Sequence, residues 1–135
     1  MTHYGYIGLG NLGGHLAMSL VKKGCKVTVF DLDPKLAERH VAAGAALAAS
    51  PADLASKVDH VFTCLPSPTV SEKVLGQILT TLKPGGTWIE NSTNGRDEMK
   101  RLAATAEAKG IKVLEAPVTG GVHLAARGEI TVLVG

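Results

Sequence analysis

The six residues GLGNLG, at positions 8–13, have the types and spacing of a phosphate-binding loop. They form a G-x-G-x-x-G pattern that follows a strand-like run and opens a helix-like run, which is the context in which this pattern binds a dinucleotide pyrophosphate. Gly8 permits a tight turn, Gly10 lets the phosphates approach the backbone, and Gly13 lets the helix pack close to the strand. The free N–H groups and the dipole of the first helical turn then face the anion. The predicted contacts with the pyrophosphate are Gly8, Gly10, Asn11, Leu12 and Gly13.

An ordinary glycine-rich turn would show the same pattern, and Asp31 distinguishes the two interpretations. It stands at the end of the second strand-like run, KVTVFD, where an acidic side chain accepts hydrogen bonds from the ribose hydroxyls of adenosine. A 2′-phosphate there would meet the carboxylate, and two unit charges about 4 Å apart repel by roughly 4 kcal/mol at an effective dielectric constant of about 20. No arginine follows directly, because the next residues are Leu32, Asp33 and Pro34. The sequence therefore predicts NAD as the cofactor in preference to NADP.

Residues after the fourth and fifth strand-like runs are candidates for contacts with the nicotinamide end of the cofactor, because ligands of such sheets bind beyond the carboxyl ends of the strands. Leu65 and Pro66 follow the run HVFTC and can form a rigid wall, although a proline that merely ends a strand would look the same. Thr93 follows the run TWIE. Its hydroxyl can bond the nicotinamide ribose or carboxamide, or it can cap the next helix.

The stretch EAPVTGG, residues 115–121, has the composition of a substrate floor. Thr119 is followed by Gly120 and Gly121, and two glycines after a hydroxyl expose backbone N–H groups that can hold a carboxylate. His123 lies nearby and is interpreted as a solvent-facing or helix-capping residue. The sequence thus predicts that a small carboxylate substrate binds at Thr119, Gly120 and Gly121.

The elements that would position these residues alternate along the chain. Strand-like runs rich in β-branched residues are separated by helix-like runs that end at glycines. This alternation predicts an α/β fold of Rossmann type, a doubly wound and mostly parallel sheet with helices on both faces, formed by one domain over residues 1–135. We expect the strand order 3-2-1-4-5-6, with a seventh strand in EITVLVG at the edge beside the sixth strand, IKVLEAPV. The intervening HLAARG is too short for a crossover helix, so the seventh strand is predicted to run antiparallel.

Composition argues against several classes of function. The formal net charge is +2 with the basic residues scattered, which disfavours a nucleic-acid partner. No apolar run approaches the roughly 18 residues of a membrane span. Because the glycine-rich loop begins at residue 8, we expect no leader peptide and a cytoplasmic location. The five histidines show no ligand spacing, so no metal is predicted, and Cys25 and Cys64 are interpreted as buried small hydrophobic residues.

The sequence resembles the N-terminal NAD-binding domain of the β-hydroxyacid dehydrogenase family, which includes 3-hydroxyisobutyrate dehydrogenase and tartronate semialdehyde reductase. 6-Phosphogluconate dehydrogenase is a more distant relative. The resemblance covers the whole chain and rests on GYIGLGNLGGHLAMSLVKKG, LPSP, ENST and EAPVTGGVHLAARGEITVLVG. The last stretch is similar to the family's substrate-binding signature, with Glu115 and Thr119 at the places where the family usually has Asp and Ser.

The resemblance implies an NAD-dependent hydride exchange with a small β-hydroxyacid or its semialdehyde. It implies that Leu65, Pro66 and Thr93 contact the cofactor and that residues 119–121 hold the substrate carboxylate. In the family the proton-handling group is a Lys of a second, all-helical domain. No Lys here matches that motif, so no catalytic residue is assigned and the helical domain is taken to be absent from this chain. The full-length form is expected to be a homo-oligomer.

Two alternatives remain open at the level of sequence. The chain can be a stand-alone NAD-binding module without catalysis, or the same half of an imine reductase or a 6-phosphogluconate dehydrogenase-like enzyme. The PVTGG stretch favours the dehydrogenase over the module, since a nucleotide sensor needs no carboxylate floor. Asp31 weighs against the NADP-dependent alternatives.

Overall fold

The computed structural model describes residues 1–119, 125–129 and 131–133. The chain begins with β1 (His3–Ile7), α1 (Asn11–Lys22), β2 (Lys26–Phe30), a 3₁₀ turn (Pro34–Ala37), α2 (Glu38–Ala42), β3 (Ala46–Leu47) and α3 (Pro51–Lys57). It continues with β4 (His60–Thr63), α4 (Pro68–Ile78), β5 (Thr87–Glu90), α5 (Arg96–Glu107), β6 (Lys112–Glu115), β7 (Val118–Thr119) and β8 (Thr131–Val132).

Strands β1 to β6 form one parallel sheet in the order β3-β2-β1-β4-β5-β6, which confirms the predicted order. The last residues of five strands are aligned, because Ile7 pairs with Phe30 and Thr63, and Glu90 pairs with Thr63 and Glu115. The loops that follow these strands therefore all leave the sheet at one edge, which is where ligands of such sheets bind.

Helices cover both faces of this sheet. Tyr6 and Ile7 are neighbours in β1 and point to opposite faces, as successive strand residues do. Tyr6 packs in a cluster with Leu9 and Ala17 on the side of α1, and Ile7 packs in a cluster with Trp88 and residues of α3, α4 and α5. The predicted doubly wound architecture is confirmed. No helix in the described ranges has the length and apolar character that a membrane crossing requires.

The predicted place of the seventh strand is wrong. β8 pairs antiparallel with β7 in a separate two-stranded sheet and does not lie beside β6. The reason is that β6 ends at Glu115, and the strand predicted to run through Val118 is interrupted by Ala116 and Pro117. Pro117 has no N–H to donate to a sheet ladder. The Pro117 carbonyl instead accepts a hydrogen bond from the Leu133 N–H at 2.7 Å, so the returning segment joins the chain after the break. Its antiparallel direction agrees with the prediction.

Candidate cofactor site

The glycine-rich loop lies between β1 and α1, and two of its glycines are required by close backbone contacts. Gly8 has φ of 98°, a left-handed conformation that glycine adopts without strain. A Cβ atom at Gly8 would overlap the Cys64 carbonyl oxygen, and one at Gly13 would overlap the Gly8 carbonyl oxygen. The loop can close against β4 and α1 only because these two side chains are absent.

Gly10 has a different environment. It precedes α1 as the N-cap residue, it is exposed, and a Cβ atom there would meet nothing within 4 Å. No side chain caps the helix, and its first turn contains no acidic residue. The N–H groups of Asn11, Leu12 and Gly13 thus begin a helix whose N-terminus is open to an anion, as a pyrophosphate site requires.

Asp31 holds this loop in place. Its Oδ2 accepts a hydrogen bond from the Leu9 N–H at 2.8 Å, and its Oδ1 accepts one from the Asp33 N–H at 2.9 Å. The carboxylate is half-buried and keeps free lone pairs, because each oxygen can accept more than one bond. The sequence predicted a ribose-binding role for Asp31 and did not reveal this second role in ordering the loop.

The β4 loop crosses the start of the glycine-rich loop. The Cys64 N–H donates to the Ile7 carbonyl at 3.0 Å, and the half-buried Leu65 side chain lies beside Gly8. Leu65 also donates its N–H to the Ser92 Oγ at 2.6 Å, while Pro66 is exposed. The structure therefore brings Leu65 and the loop after β5 together at the carboxyl edge.

Thr93 is exposed at this same edge. The alternative that it caps the next helix is wrong, because α5 begins at Arg96 with Gly95 as its N-cap and no side-chain capping bond. Thr119 lies in β7 opposite Thr131 of β8. Gly120, Gly121 and His123 lie outside the described residues.

A buried polar network lies beneath these loops, and sequence reasoning missed it. Tyr6 Oη donates to Asn91 Oδ1 at 2.9 Å, and Asn91 Nδ2 donates to the Ala116 carbonyl at 2.8 Å. The side chain of Glu90 is fully buried and accepts from Thr63 Oγ1 at 2.9 Å. A glutamate within an apolar strand, WIEN, was the one available signal.

Cys64 follows Thr63 beside this network, and burial raises the pKa of its thiol from 9.0 to about 11, with a smaller contribution from the charge of Glu90. Between these two values the unfolded chain loses the thiol proton and the folded chain keeps it, so stability falls as pH rises from about 9 to 11. A Cys64→Ser variant should show a decrease of unfolding free energy across this range that is smaller by about 2 kcal/mol. Urea titrations at several pH values measure the unfolding free energy of the unaltered chain and of the variant. If both free energies fell equally between pH 9 and 11, the assignment to Cys64 would be contradicted.

The chain matches one known protein family over nearly its whole length. The family model described as the NAD binding domain of 6-phosphogluconate dehydrogenase matches residues 3–135. The chain belongs to this family. Its members include proteins in which the same fold is part of a longer chain, as the following similarities indicate.

Two curated relatives from the family are dehydrogenases by name. Mitochondrial 3-hydroxyisobutyrate dehydrogenase of Rattus norvegicus is 39% identical over 137 residues, which are 99% of this chain and 41% of that protein. NAD-dependent L-serine dehydrogenase of Pseudomonas aeruginosa is 36% identical over 141 residues, covering 100% of this chain and 46% of that protein. The chain thus spans less than half the length of these relatives. A cytoplasmic location stays a prediction, since several relatives are named mitochondrial.

Two solved structures illustrate the breadth of the fold. Mycobacterium tuberculosis 3-hydroxyisobutyrate dehydrogenase with L-serine has a TM-score of 0.96 and 33% identity, covering 100% of this chain and 46% of that one. An imine reductase from Myxococcus stipitatus in complex with NADP+ has a TM-score of 0.85 and 18% identity, covering 90% and 43%. The second likeness concerns the fold alone.

Proposed function

We propose that this chain is the cofactor-binding half of an NAD-dependent oxidoreductase that exchanges a hydride with a small β-hydroxyacid or its semialdehyde, similar to 3-hydroxyisobutyrate dehydrogenase. The observation that carries the proposal is the open space at Gly10 beside the uncapped N-terminus of α1. That space accommodates a pyrophosphate, and Asp31 stands at the adjoining strand end, where the adenosine ribose would lie.

The remaining contacts follow from the loops at the same edge. The pyrophosphate would meet Gly8, Gly10, Asn11, Leu12 and Gly13. Leu65, Pro66 and Thr93 would contact the nicotinamide end. The bond from the Leu65 N–H to the Ser92 Oγ supports these roles for Leu65 and Thr93, because it joins the loop after β4 to the loop after β5. Thr119, Gly120 and Gly121 would hold the substrate carboxylate. The bound cofactor would supply the hydride acceptor.

Dehydrogenation of an alcohol is better supported than imine reduction. The relatives at 36% and 39% identity bear dehydrogenase names, whereas the imine reductase is 18% identical. The residues beyond this chain would contribute a helical domain with the proton-handling Lys, and the full-length protein would assemble as a homo-oligomer. A stand-alone binding module is the alternative, and turnover by a longer protein that carries the helical domain would exclude it.

Asp31→Asn tests the cofactor assignment. The amide retains one acceptor oxygen but directs an NH₂ group at either the Leu9 or the Asp33 N–H, and it accepts ribose hydrogen bonds less well than a carboxylate. We expect NAD affinity to fall by about 1–3 kcal/mol and the preference for NAD over NADP to shrink. Isothermal titration with both dinucleotides measures the two affinities.

Asp33→Asn is the matched control for this experiment. Asp33 carries the same side chain two positions later, but its carboxylate accepts from the Lys35 N–H in the exposed turn before α2. Asparagine fills such a capping position equally well, so NAD affinity should stay within about twofold. Tighter binding of NADP than of NAD by the unaltered chain would refute the NAD assignment.

A further inference from the structure

Glu90 ends β5 and is fully buried, at 0% exposure. Its Oε1 accepts hydrogen bonds from Thr63 Oγ1 at 2.9 Å and from the Ser92 N–H at 3.0 Å. Its Oε2 accepts one from Asn94 Nδ2 at 3.1 Å. All three donors are uncharged. A carboxyl group is costly to bury, and its hydrogen bonds only offset that cost, so a contribution to stability does not explain its presence.

The positions of its partners explain the buried carboxyl group better, because they lie at the end of β4 and in the loop after β5, both at the cofactor edge. Thr63 is the last residue of β4 and also accepts from Trp88 Nε1 at 2.9 Å, which fixes its hydroxyl. The Ser92 N–H is bonded to Glu90, and the Ser92 Oγ in turn accepts the Leu65 N–H at 2.6 Å. Glu90 is therefore connected through Ser92 to the residue that begins the predicted nicotinamide wall.

Glu90 also bonds both residues that flank Thr93. Ser92 and Asn94 flank Thr93 in sequence, and both are bonded to Glu90, one through its backbone and one through its side chain. The exposed Thr93 is thus held at both neighbours by one buried group. No other described side chain contacts both flanks in this way among the hydrogen bonds of the loop.

We infer that Glu90 is a positioning residue, which sets the separation between Leu65 and Thr93 so that both meet the nicotinamide end of the dinucleotide. The inference rests on the proposed function, because it concerns the geometry of the same cofactor site. Positioning matters here because hydride transfer requires the reacting atoms to be held within a narrow range of distances. Glu90 acts through Ser92 and Asn94 and does not touch the cofactor.

The environment of Asn94 predicts which substitution of Glu90 is tolerated. Asn94 Oδ1 is buried without a hydrogen-bond partner. In a Glu90→Gln variant the amide oxygen can keep the Thr63 and Ser92 bonds, and the amide nitrogen can donate to Asn94 Oδ1 after a rotation of the Asn94 amide. Glu90→Gln should therefore preserve the loop, whereas Glu90→Ala removes all three bonds.

The test compares NADH with ADP, which carries the adenosine and both phosphates but lacks the nicotinamide riboside. Both ligands are titrated into the 135-residue chain and its variants. In Glu90→Ala the affinity for NADH should fall at least about fivefold, and the affinity for ADP should change less than about twofold. Glu90→Gln should keep both affinities. Ser92→Ala, which removes only the bond to Leu65, should lower NADH affinity selectively even if Glu90→Ala fails to fold.

Thr28→Val controls for a general loss of stability. Thr28 is as buried as Thr63, lies in the same sheet and bonds a His3 ring nitrogen at 2.6 Å, remote from the carboxyl edge. This variant should leave the ratio of NADH to ADP affinity unchanged. If Ser92→Ala lowered the affinities for NADH and ADP equally, or lowered neither, the positioning role would be overturned while the proposed function stayed intact. If the unaltered chain bound neither NADH nor ADP, the proposed function would be refuted and this inference with it.

Discussion

Gly13→Ala is expected to destabilise the fold by about 3 kcal/mol, whereas Gly10→Ala leaves the fold intact and weakens dinucleotide binding. A methyl group at Gly13 overlaps the Gly8 carbonyl oxygen, and two backbone segments would have to separate to admit it. At Gly10 the methyl group enters open space, so the free energy of unfolding changes little. The same methyl group occupies the volume in which the pyrophosphate would lie. We expect affinity for NADH to fall at least about tenfold.

Urea unfolding and NADH titration of both variants measure these two effects. Gly76→Ala is the control, because Gly76 lies exposed within α4 and a Cβ atom there also meets nothing within 4 Å. It should stabilise the helix by about 0.5–1 kcal/mol and leave binding unchanged. Undiminished NADH binding by Gly10→Ala would show that the loop does not hold a pyrophosphate.

The 135-residue chain is expected to bind NAD and to show no turnover. Oxidation of an alcohol needs a base within hydrogen-bond reach of the hydroxyl proton, and such a group typically contributes a factor of about 10²–10⁴ to the rate. None of the residues assigned to the site is such a base. Gly10, Pro66 and Thr93 are also exposed at this strand edge, whereas hydride transfer is favoured when an element closes over the cofactor and excludes water.

An NAD-linked absorbance assay with 3-hydroxyisobutyrate, L-serine, glycerate and 4-hydroxybutyrate tests this expectation. A longer protein that carries the helical domain should restore activity. Robust turnover by the 135-residue chain would contradict the division of the site between two domains. A search for the base would then begin with His123, which follows the predicted substrate floor.

The sheet order could be predicted because each element is encoded locally and the handedness of crossovers leaves few topologies. Pro34, Pro51 and Pro68 each follow a residue that caps a helical turn, and all three starts were visible in the sequence. The partner of β8 could not be predicted in this way. It depends on where β6 stops, and the interruption at Pro117 redirects the pairing to a segment that the pattern had assigned to β6.

The candidate site was likewise predictable only where its residues are encoded locally. The glycine-rich loop and Asp31 were recognisable because their chemistry depends on fixed spacing. The roles of Glu90 and Asn91 depend on contacts between strands that are distant in the chain, such as the bond from Tyr6 to Asn91. The sequence shows polar residues after a strand, but it does not show which of them are buried or what they join.

The bond from the Leu9 N–H to Asp31 constrains any redesign that would change the proposed NAD preference to a preference for NADP. Removing the carboxylate to admit a 2′-phosphate also removes the acceptor that orders the pyrophosphate loop, so a single substitution would relieve repulsion and disorder the loop together. A conversion must keep an acceptor at position 31 and place the new positive charge elsewhere. Leu32 offers that place, because its side chain is 90% exposed and its replacement by arginine disturbs no packing.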